Sequence, residues 1–396
     1  MKSQGTSARQ PYLDWLRVFI VLMLIPFHTA MTFAPYEWYL RNNELNLATQ
    51  ALVMVQDQYH MELLFLIAGA ATWFSLGIRS GKSYLIERLQ RLVVPLIFGM
   101  LVLVPPCYYI AALQFERYAG SFFEWYPAFI LAQTLPFRTG FAAGALWFLW
   151  YLVFYTLGLL PFFLLIRRKF EHNLIPRLAS FFEKRGALFV LVIPTAIVQI
   201  YTKFALSRDF LFFYYLIFFI YGFFLLSEPR FQRGIDKSGP IALVGGAITM
   251  TLYMLLVFPV WWKAPLGSSY WLALSGEPGT LGHALYWTLR SFNGLFWIIG
   301  LLYLSRKFLD FSNRFLEYGN EAVLPYYIIH STPIAVIGYF IIQWDMAVLP
   351  KYAINVVTAF IATVGLYELM KRTNVTRFLL GMRLKKKGDH HRLKLG

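Results

Sequence analysis

The sequence predicts an all-α, polytopic integral membrane protein of about ten transmembrane helices, with both termini in the cytoplasm. Three observations support this fold class. The 396-residue chain is 58% hydrophobic and only 14% charged, against roughly 25% charged in an average soluble domain. Apolar stretches of bilayer length recur along the whole chain, and basic residues are concentrated in alternate connecting segments.

The predicted spans follow one another without a second soluble domain or an obvious internal repeat. We therefore expect one transmembrane domain, 1–384, and a basic cytoplasmic tail, 385–396. The first span is too long for a cleaved signal peptide, and no clear cleavage site follows it. The stretch 125–137 is apolar but short and interrupted by prolines, which favours an interfacial or re-entrant segment. The ten spans lie at about 12–34, 56–78, 92–113, 145–166, 187–203, 210–227, 240–260, 283–305, 322–343 and 352–371.

The net charge of +16 is explained by membrane topology. The segments assigned to the cytoplasm carry 27 Lys and Arg residues, and those assigned to the opposite side carry 7, as the positive-inside rule expects. The excess suits contact with anionic lipid head groups and disfavours a nucleic-acid partner. Cys107 is the only cysteine, so the sequence predicts neither an internal disulfide nor a thiolate metal site, and no other metal-ligand cluster is visible.

Ionisable residues in the first span, YLDWLRVFIVLMLIPFH, predict a functional site within the membrane. This span carries Asp14, Arg17 and His28 on an otherwise apolar helix. At about 100° per residue, Arg17 and His28 point to one face and lie roughly 16 Å apart along the axis. Ionisable groups at membrane depth are costly, and they usually face a protein interior or a watery cavity.

His28 is the candidate general base, because imidazole titrates near neutrality. Pro26 loosens the helix just before it, since proline cannot donate to the carbonyl of Leu22. Two plainer interpretations stay open: His28 packs between helices, or Arg17 merely pairs with Asp14 three residues earlier. The guanidinium of Arg17 otherwise suits a phosphate or a carboxylate.

The cytoplasmic segment SGKSYLIERLQRLVVP places Arg88 and Arg91 one turn apart at the entry to the third span. Two guanidinium groups on one face can clamp a phosphate. The alternative is an ordinary basic flank that contacts lipid head groups.

The ninth span begins EYGNEAVLPYYIIH and brings His330 to about mid-depth. Tyr326 and Tyr327 lie on the same helix face, and Glu321 is further toward the cytoplasm. His330 is therefore a candidate catalytic residue, and the other three are candidate substrate-binding residues. A purely structural Tyr–His network is the alternative.

Glu62 of the second span and Arg290 of the eighth are plausible partners, because an unpaired charge at that depth is costly. Both are candidate substrate-binding residues, although a structural pair fits equally well. Trp147 lies in the aromatic segment LWFLWYLVFY of the fourth span. It belongs either to an interfacial aromatic belt or to a cavity wall that stacks on sugar rings.

Taken together and in this order, these elements resemble the membrane-integral acyltransferase family 3, the bacterial O-acyltransferases, over essentially the whole chain. The pattern is most similar to the branch that succinylates periplasmic glucans. The resemblance is carried by Asp14 in LDWLR, the Arg-x10-His of Arg17 and His28, FLIAGA at 65–70, the Arg-x-x-Arg of Arg88 and Arg91, LWFLWYL at 146–152 and the Tyr-rich approach to His330.

The resemblance implies transfer of an acetyl or succinyl group from cytoplasmic acyl-CoA to a hydroxyl of an extracytoplasmic glycan. Arg88 and Arg91 would hold the phosphates of the coenzyme, Arg17 would guide the donor, and His28 would deprotonate the acceptor. Acyl-CoA is then a donor substrate, no cofactor or metal is permanently bound, and the location is the plasma (inner) membrane. The rival interpretation is a transporter or flippase for a glycan or lipid precursor, in which the same residues form a polar path.

Overall fold

The computed structural model describes residues 10–36, 38–134, 143–205, 210–263 and 279–385. This part of the chain is 82% helical and contains no strand. The predicted tail lies outside the described residues except for Lys385. The helices, in chain order, are α1 Pro11–Thr32, α2 Leu47–Gln56, α3 His60–Ile78, α4 Gly81–Phe115, α5 Phe122–Thr134, α6 Gly144–Phe170, α7 Leu174–Phe182, α8 Val192–Ala205, α9 Phe210–Leu225, α10 Pro229–Lys263, α11 Leu281–Phe308, α12 Arg314–Ile329, α13 Ser331–Ile341, α14 Val348–Met370 and α15 Asn374–Leu379.

Six helical segments of the described chain are long and apolar enough to cross a membrane, or seven if α12 and α13 form one bent span. The predicted number of ten is therefore not confirmed. The three remaining predicted spans are helical as well: α8 and α9 are shorter apolar helices, and α11 is long but less apolar. The six segments are Pro11–Thr32, Leu47–Ile78, Gly81–Phe115, Gly144–Phe170, Pro229–Phe258 and Val348–Met370.

The stretch 125–137, for which the sequence favoured an interfacial or re-entrant segment, is helical as far as Thr134, as part of α5. Residues 135–137 lie outside the described ranges. This helix packs on α4, and the hydroxyl of Tyr126 donates to the carbonyl oxygen of Leu101 over 2.9 Å. Pro105 has no N–H with which to bond that carbonyl within α4, so a side chain from the neighbouring helix satisfies it.

α12 and α13 meet at His330 with a bend of 54°. Pro333 causes the break, because it cannot donate a helical hydrogen bond to the carbonyl of Ile329. The hydroxyl of Thr332 donates to the carbonyl oxygen of Leu103 over 2.6 Å and anchors the bend against α4. A side chain at this break emerges between helices, which positions His330 for contact with α1.

α3 and α9 are in close contact because a glycine of each helix faces the backbone of the other. A methyl group added at Gly69 would overlap the carbonyl oxygen of Phe219, and one added at Gly222 would overlap that of Leu66. Small residues that let two backbones approach are a usual basis of helix packing in membranes. The run FLIAGA at 65–70 therefore serves helix packing in this protein.

α1 is the central helix of the domain. It packs against α12 and α14 on one side and against α2, α3, α11 and α13 on the others. Most of its apolar residues are buried, among them Leu24 and Ile25 at 1% exposure. The ionisable groups on this helix are therefore only partly exposed.

Candidate active site

Two imidazole rings that are 302 positions apart in sequence meet inside the helical domain. Nδ1 of His28, near the end of α1, lies 2.9 Å from Nε2 of His330 at the bend after α12. The ring centroids are 5.0 Å apart, with 26° between the planes. His330 is fully enclosed, whereas His28 keeps part of its surface exposed.

The hydrogen bonds of His330 define which ring nitrogen of His28 is free. Nδ1 of His330 lies 2.7 Å from the carbonyl oxygen of Tyr327, so this nitrogen carries the proton and donates. Nε2 of His330 is then an acceptor for the Nδ1–H of His28. Nε2 of His28 retains its lone pair, which is the form that a general base requires.

Aromatic rings enclose His28 on two sides. The indole of Trp38 lies flat on the imidazole, with 4.5 Å between centroids and 7° between planes. Phe27 meets His28 edge-on and also contacts the ring of His60. The buried indole N–H of Trp38 has no hydrogen-bond acceptor among the residues that the structure describes. The sequence offered no signal for Trp38, because it lies in a connecting segment without helical periodicity.

At the other end of the same helix face, Arg17 donates to two acceptors. Its Nη2 lies 3.0 Å from Oδ1 of Asp14 and 2.6 Å from Oδ1 of Asn320. The pairing of Arg17 with Asp14 is the plainer interpretation of the sequence, and it is observed. Asn320 belongs to α12, so Arg17 and His28 both contact the α12–His330 segment, as their common face predicts.

A cavity of about 250 Å³ lies on the stretch of α1 between Arg17 and His28. α1 contributes Val18, Val21 and Leu22, and Tyr326 lines the end near His330. The wall is almost entirely apolar, which suits an uncharged chain rather than an ion. The remaining lining residues are Phe315, Tyr318, Gly319, Ala322, Val323, Phe360 and Val364.

Arg88 and Arg91 lie at the start of α4, within a larger arginine cluster. The guanidinium of Arg88 stacks over the ring of Tyr84 at 5.2 Å, and that of Arg91 lies 3.5 Å from the carboxylate of Glu87. Glu87 also pairs with Arg79. Arg91 is in electrostatic range of Arg17, Arg79, Arg88 and Arg383. The tertiary structure therefore brings the predicted phosphate clamp and the charge on α1 to one region.

Arg290 forms a buried polar network, but its nearest carboxylate is not the predicted one. Nη2 of Arg290 lies 3.2 Å from Oδ2 of Asp57 and 3.9 Å from Oε1 of Glu62. Glu62 is completely buried and accepts a hydrogen bond from the hydroxyl of Tyr214 over 3.1 Å. Its other oxygen has no partner in the described ranges. Asp57 follows α2 in a turn, so helical spacing did not reveal it.

The other predicted substrate-binding residues have partners within the protein. Glu321 forms an ion pair with Arg377 of α15, and the hydroxyl of Tyr327 donates to the carbonyl oxygen of Ala145. The hydroxyl of Tyr326 bonds with that of Tyr318, and Tyr326 also lines the cavity. Trp147 packs among Phe65, Tyr151 and Tyr215. Within the described ranges, no group of three or more His, Cys, Asp or Glu residues has the geometry of a metal site.

The helical membrane domain, its histidine pair and the arginine cluster fit the class of membrane-embedded acyltransferases. The chain belongs to acyltransferase family 3: the family model described as an acyltransferase domain matches residues 10–368. This confirms the resemblance that the sequence motifs indicated, and the protein is an acyltransferase of a multi-pass membrane type. Family membership also favours group transfer over the transporter interpretation.

Known relatives similar to the chain carry the name glucans biosynthesis protein C. The protein from Salmonella heidelberg (strain SL476) is 21% identical over 395 residues, which cover 95% of this chain and 96% of the relative. The proteins from Salmonella agona (strain SL483) and Salmonella enteritidis PT4 (strain P125109) are 21% identical over 396 residues, with the same coverage. No solved structure matches the chain significantly.

Proposed function

We propose that this protein moves an acetyl or succinyl group from cytoplasmic acyl-CoA to a hydroxyl group of an extracytoplasmic glycan. The observation that best supports this proposal is the order of features along α1. The arginine cluster lies at one end, the histidine pair at the other, and the cavity between them. A coenzyme A thioester has the matching order of parts, with anionic phosphates, a long uncharged arm and a reactive thioester. The glycan acceptor is suggested by the name of the relatives.

In this proposal the donor binds with its phosphates against Arg88, Arg91 and Arg17. Guanidinium groups form strong charge-assisted hydrogen bonds with phosphate oxygens. The uncharged arm of the donor follows the apolar cavity along Val18, Val21 and Leu22 and brings the thioester toward His28. Asp14 and Asn320 hold the guanidinium of Arg17 in place.

His28 then acts as the general base and His330 as its positioning residue. Nε2 of His28 takes the proton of the acceptor hydroxyl while the hydroxyl oxygen attacks the thioester carbonyl. The C–S bond breaks as the new C–O ester bond forms, and the proton on His28 passes to the departing thiolate. The bond to Nε2 of His330 keeps the ring of His28 in the required tautomer, as the carboxylate does in hydrolase triads.

Orientation in the membrane is part of the same proposal. We place both termini and the basic segments in the cytoplasm of a cell whose inner membrane the chain crosses ten times, because this arrangement satisfies the positive-inside rule. Seven spans are long and apolar enough to cross a membrane when α12 and α13 count as one. In this proposal, α8, α9 and α11 supply the other three. The site of acyl transfer then lies past mid-depth, toward the outer side, where a glycan has access.

The decisive experiment measures release of coenzyme A thiol by purified protein in lipid nanodiscs, supplied with acetyl-CoA or succinyl-CoA and an oligoglucan. We expect thiol release that depends on the acceptor, with the acyl group found as an ester on the glycan by mass spectrometry. His28→Ala should lower the rate by roughly 10²–10⁴-fold without changing thermal stability.

His172→Ala is the matched control, because His172 lies exposed between α6 and α7, away from the membrane-embedded site. It should retain the wild-type rate. Near-normal turnover by His28→Ala at matched protein concentration would contradict the assignment of the base. Absence of acceptor-dependent thiol release in the wild-type protein with both donors would contradict the proposed function.

A further inference from the structure

The segment that follows α14 folds back against the membrane-embedded helices. The side chain of Thr373 caps α15. The side-chain amide of Asn374 donates to the carbonyl oxygen of Lys385 and accepts from its N–H, which ties the two ends of the segment together. Leu380 is fully buried and Met382 is 8% exposed, so two apolar side chains anchor the segment. Residues 374–385 therefore have a defined place beside α4 and α12.

Arg377 ties this segment to α12. Only 7% of Arg377 is exposed, and its Nη2 lies 2.6 Å from Oε1 of Glu321. Its Nε donates over 2.7 Å to the carbonyl oxygen of Arg383. One guanidinium group thus connects α12 to the backbone of Arg383, and Arg377 is a structural residue whose charge is already satisfied.

The same segment passes directly against Arg91. A methyl group added at Gly381 would lie 2.9 Å from the carbonyl oxygen of Arg91 and 2.9 Å from the ring of Pro95. Gly381 also has a φ of +68°, which side-chain-bearing residues rarely adopt, so glycine permits both the turn and the close approach. Arg383 is two residues further along the chain, and its charge is in electrostatic range of Arg91.

The cluster holds several like charges close together. Arg17, Arg79, Arg88 and Arg383 are all in electrostatic range of Arg91. Asp14 pairs with Arg17, and Glu87 pairs with both Arg79 and Arg91. Arg383 is exposed and forms no ion pair in the described ranges. Like charges held together repel, and an anion that carries several charges relieves the repulsion.

We infer that Arg383 is a further phosphate-binding residue of the donor site and that the Arg377–Glu321 pair holds the C-terminal segment in place. This inference rests on the proposed function, because it takes the phosphates to be those of coenzyme A. Arg383 belongs to the C-terminal segment that contacts the backbone of Arg91 through Gly381. The donor site is then assembled from α1, α4 and the C-terminal segment.

The test is the dissociation constant of coenzyme A for the purified full-length protein in nanodiscs. Arg383→Ala should weaken binding about tenfold or more, the effect of losing one charge-assisted contact. Arg383→Lys should retain part of the affinity because it keeps the charge. Arg372→Ala is the matched control, since Arg372 is an exposed arginine of the same region, and it should bind coenzyme A like the wild type.

Glu321→Gln tests the positioning role. It should weaken coenzyme A binding, and the double variant with Arg383→Ala should bind no more weakly than Arg383→Ala alone, because both act through one contact. Wild-type affinity in Arg383→Ala, or an equal loss in Arg372→Ala, would overturn the inference and leave the proposed function intact. A wild-type protein that does not bind coenzyme A would contradict the proposed donor and the inference together.

Discussion

At the scale of single residues, the contact between His28 and His330 is the feature with the clearest chemical consequence. Each ring has one nitrogen engaged within the pair, and His330 uses its second nitrogen on the carbonyl of Tyr327. Only Nε2 of His28 remains for a reactant. The flat contact with Trp38 restricts rotation of the ring, so that nitrogen keeps one direction.

We expect the two histidines to act as one unit. His330→Ala should lower turnover roughly tenfold or more, because His28 loses the acceptor that sets its tautomer. His330→Gln should retain more activity than His330→Ala, since its amide oxygen can still accept from the Nδ1–H of His28. The measurement is turnover per folded molecule at saturating donor.

The double variant with His28→Ala separates a shared catalytic role from a structural one. Strong non-additivity is expected, as for other groups that act together. If adding His330→Ala to His28→Ala lowered the residual activity by the same factor as His330→Ala alone lowers that of the wild type, the histidines would act independently. A loss of thermal stability in His330→Ala with unchanged turnover per folded molecule would assign His330 to packing.

At the scale of helices, backbone irregularities position the site. The break at Pro333 ends α12 at His330, and a side chain of α5 fills the gap that Pro105 leaves in the hydrogen bonding of α4. Broken helices are tolerated at membrane depth where protein satisfies the freed backbone groups. The close contact of α3 with α9 gives these irregular helices a rigid neighbour.

We predict that Gly69→Ala and Gly222→Ala each destabilise the protein. The added methyl group meets a backbone carbonyl, which cannot move without separating α3 from α9, so a cost of about 1–3 kcal/mol is expected. Gly365→Ala is the matched control. Gly365 is also a helical glycine, and a methyl group there meets nothing within 4 Å.

The measurement is the temperature at which half of the purified protein loses its monodisperse state in detergent. Gly365→Ala should match or slightly exceed the wild type, because alanine favours a helix over glycine. A wild-type transition temperature in both Gly69→Ala and Gly222→Ala would show that the two backbones are not in close contact.

At the scale of the whole molecule, the charge distribution and the position of the site agree with the proposed orientation in the membrane. In the proposed orientation, the arginine cluster lies on the side of the membrane that holds the excess of Lys and Arg residues, from which the proposed donor would enter. The histidine pair lies nearer the opposite end of α1. Donor and acceptor can thus approach from different sides of the membrane.

We predict this orientation from cysteine labelling with a membrane-impermeant maleimide. Cys107 is the only native cysteine and is fully buried, so Cys107→Ser gives a background without thiols. In that background, Glu44→Cys should be labelled from outside intact cells, because Glu44 is exposed in the segment before α2. His172→Cys should be labelled only after permeabilisation. Labelling of His172→Cys from outside would contradict the topology and the donor side.

Short stretches of the sequence were enough to predict several features of this protein. Bilayer-length apolar runs predicted an all-helical membrane protein, although not the number of spans, and the 3.6-residue period placed Arg17 and His28 on one face of α1. The spacing of Arg88 and Arg91 placed both residues at the start of α4, and their role as a phosphate clamp stays a prediction. All of these depend on residues within a few turns of one another, so they can be inferred without knowing how the helices pack.

Contacts between distant segments required the folded chain. His28 meets His330 because Pro333 bends the chain there, and Arg290 lies nearer Asp57 than Glu62 because a turn brings that aspartate inward. Trp38 and Asn320 gave no periodic signal, since each contacts α1 from another helix or connecting segment. Periodicity defines the face of a helix, whereas helix crossing, bends and connecting segments determine which side chains that face meets.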